Sequence, residues 1–220
     1  MGCCTLYGEP ISAVGSSSGG RKYDLVVIGG GAAGFAAIVK YRELLGYDRK
    51  IAMITKGPIG GTCVNVGCVP SKYLIETAKV SKLHNIYAER GVNAPELKVD
   101  FNLLMKSLRG FVKDMRREKY EKLLEHYSVD LYTGEARFTS PKSISISSDN
   151  GRVDIYGEYF IVATGSSPSI PRIDGLNEIH YYTSDTIWGI EELPEKMLVI
   201  GSGAIGLELA QAFARLGSKI

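Results

Sequence analysis

The chain has 220 residues, 45% of them hydrophobic, which is enough for one large domain or one domain plus part of another. Its 26 basic and 24 acidic residues nearly cancel and are dispersed, which excludes an electrostatic footprint for nucleic acid or an anionic membrane and leaves a small molecule as the expected partner. No run approaches the roughly 20 apolar residues that span a bilayer, and Met1 to Pro10 lacks the basic-then-apolar layout of a secretory signal, so the protein reads as cytoplasmic.

In chain order, residues 1–22 end in a Gly-Ser run from Gly15 to Gly20 and read as a flexible tail, with order expected from Tyr23. Cys3 and Cys4 fall in this tail, and as adjacent residues they chelate one ion poorly, so no structural metal site is assigned to them. Leu25 to Ile28 is a short apolar run that stops at glycines, as expected of a buried parallel strand entering a tight turn. Ala32 to Leu45 reads as a helix and Lys50 to Ile54 as a second buried strand, giving a strand-helix-strand unit. A helix is expected near Ser71 to Tyr87. A second, amphipathic one carries Phe101, Leu104, Met105, Leu108, Phe111, Val112 and Met115 at helical spacing; Asp100 is placed to cap it, and its apolar face is expected to pack on the sheet and on the preceding helix. Between Val129 and Ala163, short β-prone runs (Ile144 to Ile146, Val153 to Tyr156, Tyr159 to Val162) predict a small antiparallel sheet. Met197 to Ile200 is expected as a last strand before a second glycine cluster.

Gly29-Gly30-Gly31-Ala32-Ala33-Gly34 is a G-x-G-x-x-G that follows a strand and opens a helix. The first glycine permits the sharp turn, Gly31 lets a pyrophosphate approach the backbone, and Gly34 lets helix and strand pack closely. The acid that holds a ribose hydroxyl in such sites should end the second strand, but Thr55 and Lys56 stand there, leaving Thr55 as a neutral substitute. The next segment runs Gly60-Gly61-Thr62-Cys63-Val64-Asn65-Val66-Gly67-Cys68-Val69-Pro70-Ser71-Lys72. Two cysteines five apart on a regular helix lie beyond the roughly 4.4 to 6.8 Å between α-carbons that a disulfide tolerates, so a bond between them requires a distorted turn. Asn65 and Gly67 tolerate one, Pro70 suits the first turn of a following helix, and Cys68 just before it faces helix-start amides that favour a thiolate.

This segment resembles the redox-active signature of the pyridine nucleotide-disulfide oxidoreductases, and in its Val64 to Lys72 portion it is most similar to the mercuric reductases of that family. The resemblance extends from Tyr23 to the C-terminus. It includes Ala163-Thr164-Gly165-Ser166, similar to the family's second flavin-contacting turn, and Gly201-Ser202-Gly203-Ala204-Ile205-Gly206, similar to its nicotinamide dinucleotide fingerprint. What it implies is an α/β fold: a Rossmann-like FAD-binding domain at 23–190, with parallel sheet, helical hairpin and small antiparallel sheet, and the beginning of an NAD(P)-binding domain at 191–220. It implies FAD and NADPH or NADH as cofactors, with Gly29, Gly31, Ala32, Ala33, Gly34, Thr55, Gly61, Thr62, Ala163, Thr164 and Gly165 around the flavin dinucleotide. Gly201, Gly203, Ala204, Ile205 and Gly206 would serve the nicotinamide dinucleotide. By the same resemblance Cys63 is the interchange thiol facing substrate, Cys68 the thiol facing the flavin, Lys72 lies near the flavin ring and Glu208 near the nicotinamide.

The implied activity passes electrons from NAD(P)H through FAD to a Cys63–Cys68 disulfide and on to substrate, Hg(II) by the similarity of the Val64 to Lys72 portion. Dihydrolipoamide dehydrogenase is the alternative, and a flavin-binding or thiol-sensing module without turnover is the non-enzymatic one. Family members are roughly twice this length, so the chain is expected to be the front portion of a longer protein whose intact form is a homodimer, with no nucleic-acid or membrane partner.

Overall fold

The computed structural model describes residues 21–92, 95 and 97–220, so that Cys3, Cys4 and most of the expected tail lie outside the described residues. Two compact units are formed: Met1–Gly61 with Met115–Ser166, and Thr62–Asp114 with Ser167–Ile220.

The first unit is built on strands β1 (Arg21–Ile28), β2 (Ile51–Thr55), β3 (Val129–Thr133), β4 (Glu135–Ser140), β5 (Ser143–Ser148) and β6 (Gly151–Val162), with helices α1 (Ala32–Leu45) and α6 (Lys122–His126). The strands form one sheet in the order β3-β2-β1-β6-β5-β4. β1 lies parallel to both β2 and β6, Val26 registering with Ala52 on one side and with Phe160 on the other. β1 starts at Arg21, so Arg21 and Lys22, expected in the tail, are strand residues paired with Ile155 and Tyr156. The antiparallel β4-β5-β6 portion is not a separate sheet. β6 pairs with β5 on one edge and β1 on the other, and the two expected strands Val153 to Tyr156 and Tyr159 to Val162 are halves of this one strand.

Both faces of the sheet are covered by apolar residues, as a central parallel sheet requires. Leu25, Val27, Ile51 and Met53 pack with Phe35 and Ile38 of α1. Val26, Ile28, Ala52 and Ile54 pack on the other side with Tyr132, Ile144, Ile146 and Ile155. The Tyr23 hydroxyl donates to Asp130 at 2.7 Å and stands 2.6 Å from that of Tyr132, tying β1 to β3 across β2. Burial, then the Tyr132 and Asp130 hydrogen bonds, push the Tyr23 hydroxyl far above the ordinary phenol range. Buried Arg42 of α1 donates to the carbonyls of Tyr127, Ser128 and Arg49 at 2.9, 3.1 and 2.6 Å, which fixes the chain just before β2 and β3.

The second unit is largely helical, with α3 (Cys68–Ser81), α4 (Leu83–Ala88), most of α5 (Phe101–Arg116) and α7 (Ala204–Leu216); α2 (Gly61–Asn65) precedes α3. The single helix expected near Ser71 to Tyr87 is broken at Lys82, whose ψ of 5° ends α3. The apolar stripe of α5 packs on the preceding helix as expected: Phe101, Leu104, Met105, Leu108 and Val112 cluster with Leu74 and Ala78 of α3, and also with Ala212 and Phe213 of α7 and with Ile187 to Ile190. Phe111, expected in that stripe, is exposed beside the Tyr73 ring, 5.3 Å between centroids. Met197 to Ile200 does not become a strand. A parallel bridge, Lys196 to Lys219, comes just before it, Met197 N donates to Lys219 O at 2.8 Å, and Leu198 is 88% exposed; a strand needs a continuous ladder of partners.

Candidate active site

In the first unit the end of β1 turns at Gly29, where φ is +119° and an added Cβ would fall 2.1 Å from the Ala163 carbonyl oxygen. No other residue fits there. The turn is pinned on both sides, since Gly29 N donates to Ile54 O and Ala163 N to Ile28 O, each at 2.7 Å. Two turns far apart in sequence, the glycine cluster Gly29 to Gly34 and the segment Ala163 to Gly165, are thereby neighbours at the carboxyl ends of parallel strands, where doubly wound sheets bind their ligands. Gly34 packs against the turn itself, its hypothetical Cβ 2.2 Å from Gly29 O.

The cap of α1 is Gly31, which has no side chain to satisfy the first amides, and no acid stands in the first turn. Ala32 and Ala33 are exposed there, so the helix start offers bare amides and a positive dipole end to an anion. Gly60 N donates to Gly30 O at 2.7 Å, and Gly61 lies so close that its Cβ would sit 2.8 Å from Gly31 Cα. This is a cradle with backbone walls that a side chain would fill, and it fits the pyrophosphate of a dinucleotide. Thr55 does not face it as a free hydroxyl: it is buried behind Gly30 and donates to Gly57 O at 2.8 Å. Lys56 beside it pairs with Glu135 at 3.2 Å, so the missing acid at the end of β2 has a carboxylate from β4 nearby.

In the second unit Cys63 lies on α2 and Cys68 is the first residue of α3. The break between them is at Gly67 (φ −118°, ψ −119°), as the spacing demanded. Gly67 sits so tightly on the preceding turn that its Cβ would meet Thr62 O at 2.9 Å and Cys63 Cα at 3.1 Å, which folds the start of α3 back over Cys63. Both sulfurs are exposed free thiols and hydrogen-bond to each other. That hydrogen bond, then burial and the Cys68 charge, hold the Cys63 thiol above its usual range, with the Cys68 amide opposing. Lys72, one turn along α3, forms an ion pair with Glu208 of α7, so two residues singled out for separate roles meet directly.

The second glycine cluster repeats the backbone of the first. Gly201 has φ +108°, a Cβ on Gly206 would lie 2.7 Å from Gly201 O and 3.4 Å from Val199 Cγ1, and the counterpart at Gly34 would lie 3.2 Å from Val27 Cγ1. Gly203 caps α7 without a side chain, as Gly31 caps α1, so Ala204 and Ile205 begin a helix with bare amides. Trp188 was not singled out by sequence reasoning. Its indole N–H donates to the carbonyl of Val66, inside the turn between the two cysteines, at 2.9 Å. The signal available was Pro70: having no N–H, it leaves the carbonyl four residues earlier without its helical donor.

The profile of the pyridine nucleotide-disulphide oxidoreductases matches residues 23–220. The chain belongs to that family. Its members are flavoprotein oxidoreductases that use FAD and NAD(P)H. Among relatives, mercuric reductase of Staphylococcus aureus is 40% identical over 198 residues, covering 90% of this chain and 35% of that protein. Mercuric reductase of Streptomyces lividans is 40% identical over 202 residues, covering 90% of this chain and 42% of that protein. Among solved structures, the Cu(II) complex of the HOCl-induced flavoprotein disulfide reductase RclA from Escherichia coli aligns with a TM-score of 0.74 at 28% identity. It covers 90% of this chain and 41% of that one. The chain thus spans well under half the length of these relatives. No helix among the described residues is long and apolar enough to cross a membrane.

Proposed function

We propose that this chain is the flavin-binding, dithiol-bearing portion of an NAD(P)H-dependent oxidoreductase whose Cys63–Cys68 pair passes electrons to Hg(II). The observation that carries the reading is the broken turn at Gly67, which brings two exposed thiols into hydrogen-bond contact. The cradle of Gly29, Gly31, Gly34 and Gly61, with Ala163 to Gly165 beside it, would hold FAD, which when bound supplies two-electron exchange between a nicotinamide and a disulfide. Gly201, Gly203 and Gly206 would begin the nicotinamide dinucleotide site, in a domain starting near residue 191, with the intact protein a homodimer.

Reduction of the pair breaks the S–S bond and adds two electrons and two protons, giving the two thiols. In this reading Cys63 is the sulfur that meets substrate and Cys68 the one that meets the flavin. Lys72, neutralised by Glu208 at rest, keeps a cation near the reduced site. Hg(II) is a soft ion suited to two thiolates, each of which loses its proton on binding, and two electrons originating in NAD(P)H then release it as Hg(0). The naming of the relatives as mercuric reductases supports Hg(II) over a disulfide substrate. Mercury-dependent NAD(P)H oxidation and dihydrolipoamide-dependent NAD⁺ reduction, assayed side by side on the intact gene product, test the proposal. Mercury-dependent turnover is expected; rapid lipoamide turnover with no mercury response would reassign the substrate.

A further inference from the structure

The turn between Cys63 and Cys68 carries a carbonyl that its own helices do not serve. α2 ends at Asn65 and the backbone breaks at Gly67, leaving Val66 O past the last helical residue of α2. In a continuous helix this oxygen would accept from the amide four residues on, but that residue is Pro70, which has none. The single tryptophan of the chain supplies the donor: Trp188 Nε1 is 2.9 Å from Val66 O and 2.8 Å from Ser184 O, one N–H shared between two carbonyls. Trp188 is itself fixed. Its side chain is buried among Leu74, Met105, Leu108 and Phe213, and its own carbonyl accepts from Arg109 Nη1 at 3.3 Å.

We propose that Trp188 is a positioning residue for the redox pair: its indole N–H on Val66 O holds the Cys63–Cys68 turn in the geometry from which the sulfurs join, and so sets the balance between dithiol and disulfide. The inference rests on the pair being redox-active, as proposed above. Joining the sulfurs takes them from hydrogen-bond contact to a bond of about 2.05 Å, so whatever holds the two ends of the turn together raises the effective concentration of one thiol at the other. Loss of the N–H loosens the turn and favours the open dithiol.

The test equilibrates the whole chain with mixtures of reduced and oxidised dithiothreitol, traps free thiols with acid and alkylation, and counts them by mass. Each exchange moves two electrons and two protons: the Cys63–Cys68 disulfide becomes two thiols as dithiothreitol closes to its cyclic disulfide. Two variants are compared with the native chain. Trp188→Phe removes the N–H and part of the ring, and benzothienylalanine at the same position keeps the ring and exchanges only N–H for sulfur. A net hydrogen bond changes an equilibrium by about three- to tenfold, and both variants are expected to shift toward the dithiol by that factor. The benzothienyl variant should do so at an unchanged melting temperature. A native equilibrium constant in the benzothienyl variant, whatever Trp188→Phe does, overturns the proposal, since packing alone would then explain Trp188. A native chain whose cysteines never form a disulfide in oxidised dithiothreitol instead removes the redox reading on which it rests.

Discussion

At the residue scale the two cysteines are coupled, because their sulfurs share a hydrogen bond. Cys63 is held above the usual thiol range chiefly by its hydrogen bond to Cys68, so the protonated form of Cys63 persists to higher pH than a free thiol would. Removing that partner relieves the upward shift. In the reduced chain, Cys68→Ala is expected to move the pH profile of Cys63 alkylation to lower pH, because the thiol loses both the hydrogen bond and the neighbouring charge that opposed ionisation. The profile is read from alkylation rates across a pH series, and a curve unchanged by Cys68→Ala would show that the two sulfurs do not communicate. The need for a broken turn between the cysteines was legible in their five-residue spacing and in Gly67, while their roles were implied by the resemblance. Trp188 was not legible, since nothing in the pattern around it says which distant carbonyl it serves. The hydroxyl of Thr55 likewise could not be read as turned inward, because its partner Gly57 O is fixed by the turn after β2 and not by the motif.

At the scale of elements, periodicity fixed what lies within a segment better than what lies against it. α1 occupies Ala32–Leu45, the span its sequence predicts, since glycines bound it at both ends. The stripe on α5 was equally plain, and its packing on the preceding helix α3 was expected; that α7 and Ile187 to Ile190 complete the cluster was not, because an apolar stripe specifies burial and is indifferent to what buries it. Met197 to Ile200 shows the same limit, a β-prone run with a single bridge, Lys196 to Lys219, just before it. The expected cap of α5 does form: Asp100 Oδ1 accepts from Leu103 N at 3.0 Å. Asp100→Ala should therefore cost about 1 kcal/mol of stability, while Asp100→Asn keeps the acceptor and most of the stability. Chemical denaturation of the three proteins decides it, and equal midpoints would mean that the exposed cap contributes nothing.

At the scale of the whole molecule, each of the two units carries one glycine fingerprint, and the two are built on the same contact. The last glycine of each cluster packs against the carbonyl of the first, Gly34 on Gly29 and Gly206 on Gly201, with a valine two residues before the first glycine behind it. A methyl group at either site has no room, since it would lie 2.2 Å from Gly29 O or 2.7 Å from Gly201 O, and backbone rather than a flexible side chain would have to yield. Overpacking of this kind typically costs about 1–3 kcal/mol and displaces the helix start that the phosphates use. If the first cluster serves FAD and the second the nicotinamide dinucleotide, the two substitutions separate. Gly34→Ala should yield protein that loses flavin on gel filtration. In the intact gene product, Gly206→Ala should stay yellow but reduce its flavin slowly with NAD(P)H, while dithionite still reduces it fully. Absorbance of the purified variants and stopped-flow bleaching of the flavin band make the comparison. A Gly206→Ala protein that loses its flavin, or a Gly34→Ala protein that keeps it and fails only with NAD(P)H, would exchange the assignments of the two clusters.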